Sequence, residues 1–425
     1  MDEYGNIKIL WIWLSEALGA ANPLSQQILE AFDNSVTGIY EADESEIAGI
    51  HGIKPQLVRR LTDKDLTEAR SIYAYCLNEG VGILTPDSEL YPSRLKRIQD
   101  MPILLYYKGT LRSIDGELCI AVVGTRNMTE YGMQSAYSFS YDFAKAGAVV
   151  VSGMARGVDG VSHRAAIDAG GYTVAVLGCG IDRVYPPEHS ELMKSIIKNG
   201  LIVTEYKPFS SPSSYNFPRR NRIISGMSQA TLVIEAPKAS GSLITANIAM
   251  EQGRDVYAIP GKVGEYSSTG TNELIKAGAE IATSAIDVLL RYRGLYSEKI
   301  NYGTNAAFMK EKKEAISKLR DRIKREQEKS AEEAAAHGIP EAVEAPAEPE
   351  TAEQCGADTP PPDYSGLSEN QRKIVEVLYG TGGLTADEIS AKAGISTREV
   401  LIEITMLEIS DMITALPGGM YAVKQ

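Results

Sequence analysis

Six short apolar runs, separated by helical patterns and mostly closing on glycine, constrain this chain more than any other feature. They are Cys119-Ile-Ala-Val-Val123 before Gly124, Ala148-Val-Val-Val151 before Gly153, Thr173-Val-Ala-Val-Leu177 before Gly178, Leu201-Ile-Val203, Leu232-Val-Ile-Glu235 before a turn at Pro237, and Val256-Tyr-Ala-Ile259. A strand that is apolar along its whole length must be covered on both faces, and strands that alternate with helices pair in parallel. The pattern predicts an α/β domain built on a Rossmann-like, doubly wound, mostly parallel sheet.

The flanks read differently. Leu10, Leu14 and Leu18, then Leu57, Leu61 and Leu66, fall at helical spacing, so residues 1–80 are expected to form a helical module. Within it, Ile47-Ala-Gly-Ile-His-Gly-Ile53 is a glycine turn between short helices and resembles a helix-hairpin-helix or SAM-like module. Such turns touch DNA phosphate through backbone amides, but Glu41, Asp43, Glu44 and Glu46 crowd the approach, which favours a structural or protein-contact role. Tyr91-Pro92 and Met101-Pro102-Ile-Leu-Leu-Tyr-Tyr107 supply extended pieces for the sheet edge, giving one α/β domain over 81–295. Residues 296–365 read as a charged, largely disordered linker: 310–329 is mixed-charge and helical, and 330–362 is rich in Ala, Glu and Pro with few large apolar residues. Residues 366–425 return to helical patterns, with Thr385 and Ser396 as N-caps and a hairpin over Leu416-Pro-Gly-Gly-Met-Tyr-Ala-Val423, which together describe a winged helix.

In a doubly wound sheet the ligand crevice lies beyond the carboxyl ends of the strands, where helix N-termini present N–H groups. The polar motifs fall there. Gly124-Thr-Arg126, Ser152-Gly-Met-Ala-Arg-Gly-Val-Asp159, Gly178-Cys-Gly-Ile-Asp-Arg183, Asn216-Phe-Pro-Arg-Arg-Asn-Arg-Ile-Ile224 and Lys238-Ala-Ser-Gly-Ser-Leu-Ile-Thr245 all follow strands. Arg126, Arg156, Arg183, Arg219, Arg220, Arg222 and Lys238 are therefore expected to share one rim, with Ser240, Gly241 and Ser242 forming a backbone nest for a phosphate. Guanidinium forks suit phosphate oxygens, Phe217 offers a base a face to stack on, and Asn221 can read polar edges. The competing reading is an Arg-rich segment tied up in internal salt bridges. Convergence of several motifs on one edge favours a polyanion site. Asp159 and His163 stand four apart and read as a structural cap in preference to an acid–base couple, and Tyr185-Pro-Pro187 as a rigid turn.

Charge makes such a site local. The formal net charge is -13 over 425 residues, so the molecule as a whole repels nucleic acid, although the stretch from Ala331 to Asp363 carries acidic residues and no Lys or Arg. Cys76, Cys119, Cys179 and Cys355 stand far apart, which suggests neither a disulfide framework nor a zinc site; no metal or cofactor is expected. The acidic start and the lack of a long uncharged apolar run suggest a soluble cytoplasmic protein with no membrane partner.

Seven motifs then act together. Gly124-Thr-Arg126, Ala155-Arg-Gly-Val-Asp159 with His163, Gly178-Cys-Gly-Ile-Asp-Arg-Val-Tyr-Pro186, Phe217-Pro-Arg-Arg-Asn-Arg222, Ser240-Gly-Ser-Leu-Ile-Thr-Ala246, Gly253-Arg-Asp-Val-Tyr-Ala-Ile-Pro-Gly261 and Gly270-Thr-Asn-Glu-Leu-Ile275 resemble the DNA-processing protein A (DprA/Smf) family across about residues 81–290. The resemblance implies binding of single-stranded DNA without catalysis, self-association, and help in loading RecA recombinase on incoming strands during natural transformation. It implies that Arg126, in the loop with Gly124 and Thr125, grips a backbone phosphate, that Phe217 to Arg222 line a nucleotide pocket, and that Ser240 to Ser242 cap another phosphate. It makes Leu274, Ile275 and Ile281, otherwise ordinary core, candidate contacts of a homodimer. Two positions depart from the family pattern: Thr125 stands where Ser is usual, and His189 where Asn is typical.

Three other classes fit the sequence less well. A nucleoside-monophosphate phosphoribohydrolase on the same sheet carries a Pro-Gly-Gly-Xaa-Gly-Thr loop closely followed by a glutamate; here the turn is Pro237-Lys-Ala-Ser-Gly-Ser242, and Glu251 lies well beyond it. A dinucleotide oxidoreductase requires Gly-Xaa-Gly-Xaa-Xaa-Gly where this chain has Gly-Thr-Arg-Asn-Met-Thr. A duplex-reading winged helix is disfavoured because its would-be recognition helix sets Glu399, Glu403 and Glu408 against Arg398 alone. That domain is expected to make protein contacts or to regulate.

Overall fold

The computed structural model describes residues 3–301, 314–325, 369–378, 384–393, 413–416 and 420–423, together with single positions between 395 and 407. It divides into two units, 1–342 and 343–425.

The first unit opens with six helices, α1 (Glu3–Leu18), α2 (Ser25–Ala31), α3 (Val36–Glu41), α4 (Glu44–Ala48), α5 (Pro55–Thr62) and α6 (Thr67–Asn78). Two of the acidic residues that crowd the glycine turn are consumed locally: the Asp43 carboxylate accepts from the Ser45 and Glu46 amides while Glu46 accepts from the Asp43 amide, a reciprocal cap on α4. There follow β1 (Gly82–Leu84), β2 (Leu105–Gly109), β3 (Cys119–Val123), α7 (Glu130–Ala146), β4 (Val149–Ser152), α8 (Val158–Asp168), β5 (Thr173–Val176), α9 (Ser190–Asn199), β6 (Leu201–Thr204), α10 (Asn216–Met227), β7 (Ala230–Val233), α11 (Gly241–Glu251), β8 (Asp255–Ala258), α12 (Thr269–Lys276), β9 (Glu280–Ile281) and α13 (Ala285–Arg291). One nine-stranded sheet runs in the order β1-β2-β6-β5-β4-β3-β7-β8-β9. The β1–β2 and β2–β6 pairs are antiparallel and every other pair is parallel, so the run from β6 to β9 has all its carboxyl ends on one edge. The order reverses between β4-β3 and β3-β7, the switch point at which such sheets open a crevice.

Alternation along the strands divides the core. Ile120, Val122, Val150 and Leu232 point to the layer of α7, α8 and α13, whereas Ala121, Val123, Val149 and Val151 point to the layer of α9, α10 and α11. Helix α7 shows how local chemistry sets an element. Thr129 caps its start by accepting from Gly132, and Gly147, at φ 99°, closes its end with Gly147→Ala144 and Ala148→Phe143 amide bonds of 3.0 and 2.9 Å.

Two boundaries differ from the expectation. The helical module and the sheet share a single apolar core that includes Trp11, Ile12, Leu14, Leu61 and Tyr106, because α1 and α6 lay their apolar faces on the β1–β2 edge. The linker expected from residue 296 starts later: Ile300 is buried, the Asn301 amide donates to Ala146, and helix α14 (residues 314–325) buries Leu319 in the core beside α7. Residues 326–365 lie outside the described residues.

In the second unit, α15 (Glu369–Leu378), β10 (Leu384–Thr385), α16 (Ala386–Ala393), β11 (Ile413–Leu416) and β12 (Met420–Val423) are described, with the strands in the antiparallel order β10-β12-β11. Thr385 caps α16 in reciprocal bonds with Glu388. Val400, Ile404 and Leu407 are buried with Ile374, Val375 and Ile389 around one small core. Ser396, Arg398, Glu399 and Glu408 lie outside the described residues.

Candidate nucleic-acid interface

The loop after β3 is assembled by close backbone packing. The Thr125 amide donates to the Glu235 carbonyl at 2.7 Å, and its own carbonyl accepts from Val158 at 3.3 Å. Gly157, at φ 73°, lies so close that a Cβ would stand 2.3 Å from the Thr125 oxygen, so only glycine fits. This fixes Gly124 and Thr125 and leaves Arg126 exposed, with its guanidinium 5.5 Å from the centre of the Phe217 ring and in no salt bridge with a described residue.

Phe217 sits in the first turn of α10. Its ring packs on Gly178, where a Cβ would come within 2.8 Å, and its centre lies 5.3 Å from that of Tyr185. Arg219 is exposed on the same turn and Asn221 is half-buried, its side-chain oxygen accepting from Arg220.

The remaining two arginines correct the expected rim. Arg220 is buried and donates to the carbonyls of Gly153, at 2.7 Å, and Val176, pinning the ends of β4 and β5 together. Gly153 is glycine because a Cβ would stand 2.3 Å from that guanidinium. Arg222 is also buried; it meets both oxygens of Glu205 at 2.7 Å and Asp100 at 2.9 Å. Burial pushes the Glu205 carboxyl up and Arg222 opposes that push. The arginine-rich segment is thus two things at once. Arg220 and Arg222, two residues apart, leave α10 on opposite flanks, and both flanks are covered, one by the ends of β4 and β5 and the other by Glu205 and Asp100; Arg219 stays exposed and Phe217 half-buried.

The other expected rim residues fall between. Arg156 is exposed but paired with Glu188, and Arg183 is exposed beside Asp182 at 3.2 Å. Lys238 is three-quarters exposed, 3.3 Å from Glu273. Ser240 caps α11 itself, its hydroxyl 3.4 Å from the Ser242 amide and 2.8 Å from the Ser242 hydroxyl, which leaves the exposed Gly241 turn as the open part of the nest. Leu274 is core and Ile275 packs against the core, so of the three dimer candidates Ile281 alone stands largely exposed, on the edge strand β9.

The carboxylates nearest the strand ends are occupied by backbone. Asp159 accepts from the Gly153 and Ala155 amides; burial raises its pKa and Arg220 opposes this. It does not bond His163, which instead meets Thr173 at 2.7 Å. His189 is buried with Nδ1 3.0 Å from the Met154 carbonyl. Burial lowers the two imidazoles to about 3 and about 4 respectively, so both are neutral at pH 7. Among the described residues no group of His, Cys, Asp and Glu is placed to hold a metal ion, and no helix is long and apolar enough to cross a membrane.

Sequence reasoning missed the aromatic side of the edge. Tyr185 partners Phe217, the Tyr206 hydroxyl donates to the Asn216 carbonyl at the start of α10, and Tyr131 and Tyr215 are exposed at loop ends. Tyrosines at strand ends were a usable signal. It also missed how the helical module braces the loop leading to α10. Lys207 bridges Glu16 and Glu68 at 2.5 and 2.6 Å, and Phe209 packs on Tyr75.

A mostly parallel, doubly wound sheet with a helical module on one edge defines a Rossmann-like protein with accessory domains. Residues 82–293 match the family model for DNA recombination-mediator protein A, and residues 358–419 that for the DprA winged helix domain. Protein Smf of Escherichia coli is 32% identical over 350 residues, covering 81% of this chain and 78% of the relative. DNA processing protein DprA of Bacillus subtilis is 40% identical over 210 residues, 49% of this chain and 71% of the relative. The X-ray structure of DprA from Streptococcus pneumoniae superposes with a TM-score of 0.58 at 35% identity, covering 66% of this chain and 97% of that one. The chain belongs to the DNA recombination-mediator protein A family.

Proposed function

We propose that this chain is a cytoplasmic, non-enzymatic DNA-processing protein that binds single-stranded DNA along its strand-end rim, acts as a homodimer, and delivers the strand to RecA recombinase during transformation or recombination. The observation that carries the reading is Arg126, exposed, in no salt bridge with a described residue and 5.5 Å from the centre of the Phe217 ring: a phosphate-gripping fork beside a stacking surface. Phosphates would be met by Arg126, Arg219, Lys238 and the Gly241 turn, with Arg156 and Arg183 at the margin. Arg220 and Arg222 support these groups from below. Family membership is consistent with this assignment, and the occupied state of Asp159 and Glu235 argues against an acid–base pair in the crevice.

The test is fluorescence anisotropy of a labelled oligonucleotide, single-stranded and duplex, at two salt concentrations, with the intact chain and with Arg126→Ala. Tight, salt-sensitive binding of the single strand that is lost in the variant is expected. Lack of single-strand binding by the intact chain would overturn the reading and turn attention to nucleoside-monophosphate hydrolysis.

A further inference from the structure

The strand-end edge has a second half, past the switch point, whose character differs from the first. Around β7 and β8 it exposes Tyr131, Ile244, Val263 and Tyr266. Tyr131 and Ile244 lie in the first turns of α7 and α11, and Val263 and Tyr266 in the segment between β8 and α12. Tyr131 donates its hydroxyl to the Pro260 carbonyl at 3.1 Å, and the Lys238 amide donates to Thr269 at 3.0 Å. Gly270 packs against Leu243 and the Ala236 carbonyl. The bond from Tyr131 to Pro260 ties the first turn of α7 to the loop that carries Val263 and Tyr266.

Tyr131 is the best-held member. It lies in the first turn of α7, and that turn is bolted to the buried Glu235, whose carboxylate accepts from the Thr129 amide and hydroxyl at 2.8 Å each. The next residue, Gly132, is glycine because a Cβ would stand 2.1 Å from the same carboxylate. With its backbone fixed beneath and its hydroxyl tied to Pro260, the ring keeps one face on the crevice lip while half its surface stays open to solvent. A ring immobilised before binding loses little entropy on stacking. Tyr131 lies five positions after Arg126, so their Cα atoms are at most about 17 Å apart, a span that one strand of several nucleotides crosses.

We infer that Tyr131 is a second base-stacking platform, and that a single strand seated on Phe217 and Arg126 crosses the switch point to stack another base there. Lys238 and Lys262 flank this path, each exposed and beside a surface glutamate, Glu273 at 3.3 Å and Glu265 at 3.7 Å, which a phosphate would displace. The inference rests on the rim reading above and extends it to a longer footprint. An apolar protein partner on the same surface is the competing occupant; continuity with the arginine rim and the two flanking lysines favour the strand.

The experiment titrates the full chain with strands of about 4 and about 16 nucleotides, the two ends of ordinary site sizes. Tyr131→Ala should weaken binding of the long strand about 10-fold and leave the short one unchanged, while Tyr131→Phe should bind both normally. A long strand carrying 5-iodouracil should also photo-crosslink to Tyr131. Unchanged long-strand affinity in Tyr131→Ala would overturn the inference and leave the patch to a protein partner. Equal loss in Tyr131→Ala and Tyr131→Phe would overturn it differently, by showing that the bond to Pro260 matters and the ring does not. The intact chain in the same titration separates the two readings: if it binds neither strand, the rim reading itself has failed.

Discussion

Replacing Arg222 tests the division of the arginine segment into inward and outward halves. Its guanidinium is 3% exposed and satisfies Glu205, whose side chain is 6% exposed, as well as the half-open Asp100. Arg222→Met keeps the volume and removes the charge, leaving a buried carboxylate without its partner. Breaking a buried pair on one side costs ~3–5 kcal/mol. For a unit spanning residues 1–342, unfolding entropy of ~2.1 cal/mol/K per residue means that each kcal/mol moves the melting temperature by about 1.4 °C, so a fall of roughly 5 °C is expected. Replacing both partners, Arg222→Met with Glu205→Leu, should recover most of that loss, because the desolvated charge is gone. About 1 kcal/mol should remain from the Ala21 amide, which donates to Glu205 at 3.3 Å. The assay is thermal melting with single-strand affinity measured alongside, at a temperature where every variant is folded. If Arg222→Met melted within about 2 °C of the parent yet bound DNA as poorly as Arg126→Ala, the guanidinium would be a phosphate ligand and the reasoning would be refuted.

Arg126→Ala, by contrast, should leave the melting temperature unchanged and lower the log–log salt slope of single-strand binding by about 0.7; an unchanged slope would count against phosphate contact. Gly153→Ala should destabilise by ~1–3 kcal/mol, since its Cβ would displace the Arg220 guanidinium; a neutral result would mean that Arg220 does not need its place. His163 and His189 are buried neutral, with pKa values lowered to about 3 and about 4, whereas in the unfolded chain they titrate near 6.5. The unfolded chain therefore binds more protons below that pH, so stability is complete above about pH 7 and falls as pH drops toward 4. For His189 the loss approaches ~3 kcal/mol. Denaturant midpoints at pH 7 and pH 5 for the parent and His189→Asn should show a flatter dependence in the variant; identical slopes would remove His189 from the account.

Much of the architecture was legible without coordinates. Continuous apolar runs such as Cys119 to Val123 can only be doubly covered strands, and their alternation with helices made the parallel sheet and its ligand edge predictable. Glycines after strands carried the same information, since Gly124, Gly153 and Gly178 mark places where a Cβ would strike a neighbour. Motif spacing assigned the polar loops to the ends of the parallel strands, and composition anticipated a helix in 310–329. It did not foresee that the helix would bury Leu319 beside α7.

Which arginines face the rim was a different kind of question. The run Arg219, Arg220, Asn221, Arg222 is identical in chemistry from one arginine to the next, and sequence alone treated its three guanidiniums as equivalent. Only the packing of α10 between the ends of β4 and β5 and the loop bearing Glu205 sends two of them inward. Their partners lie 67 residues away at Gly153 and 17 at Glu205, beyond any local pattern. The same holds for Leu274, which a helical period marks as apolar but cannot assign to core or to contact, and for Tyr131, whose exposure depends on where Glu235 and Pro260 come to rest. Local chemistry determined which elements form and on which edge the ligand groups gather. Long-range packing decided which of those groups remain open to bind.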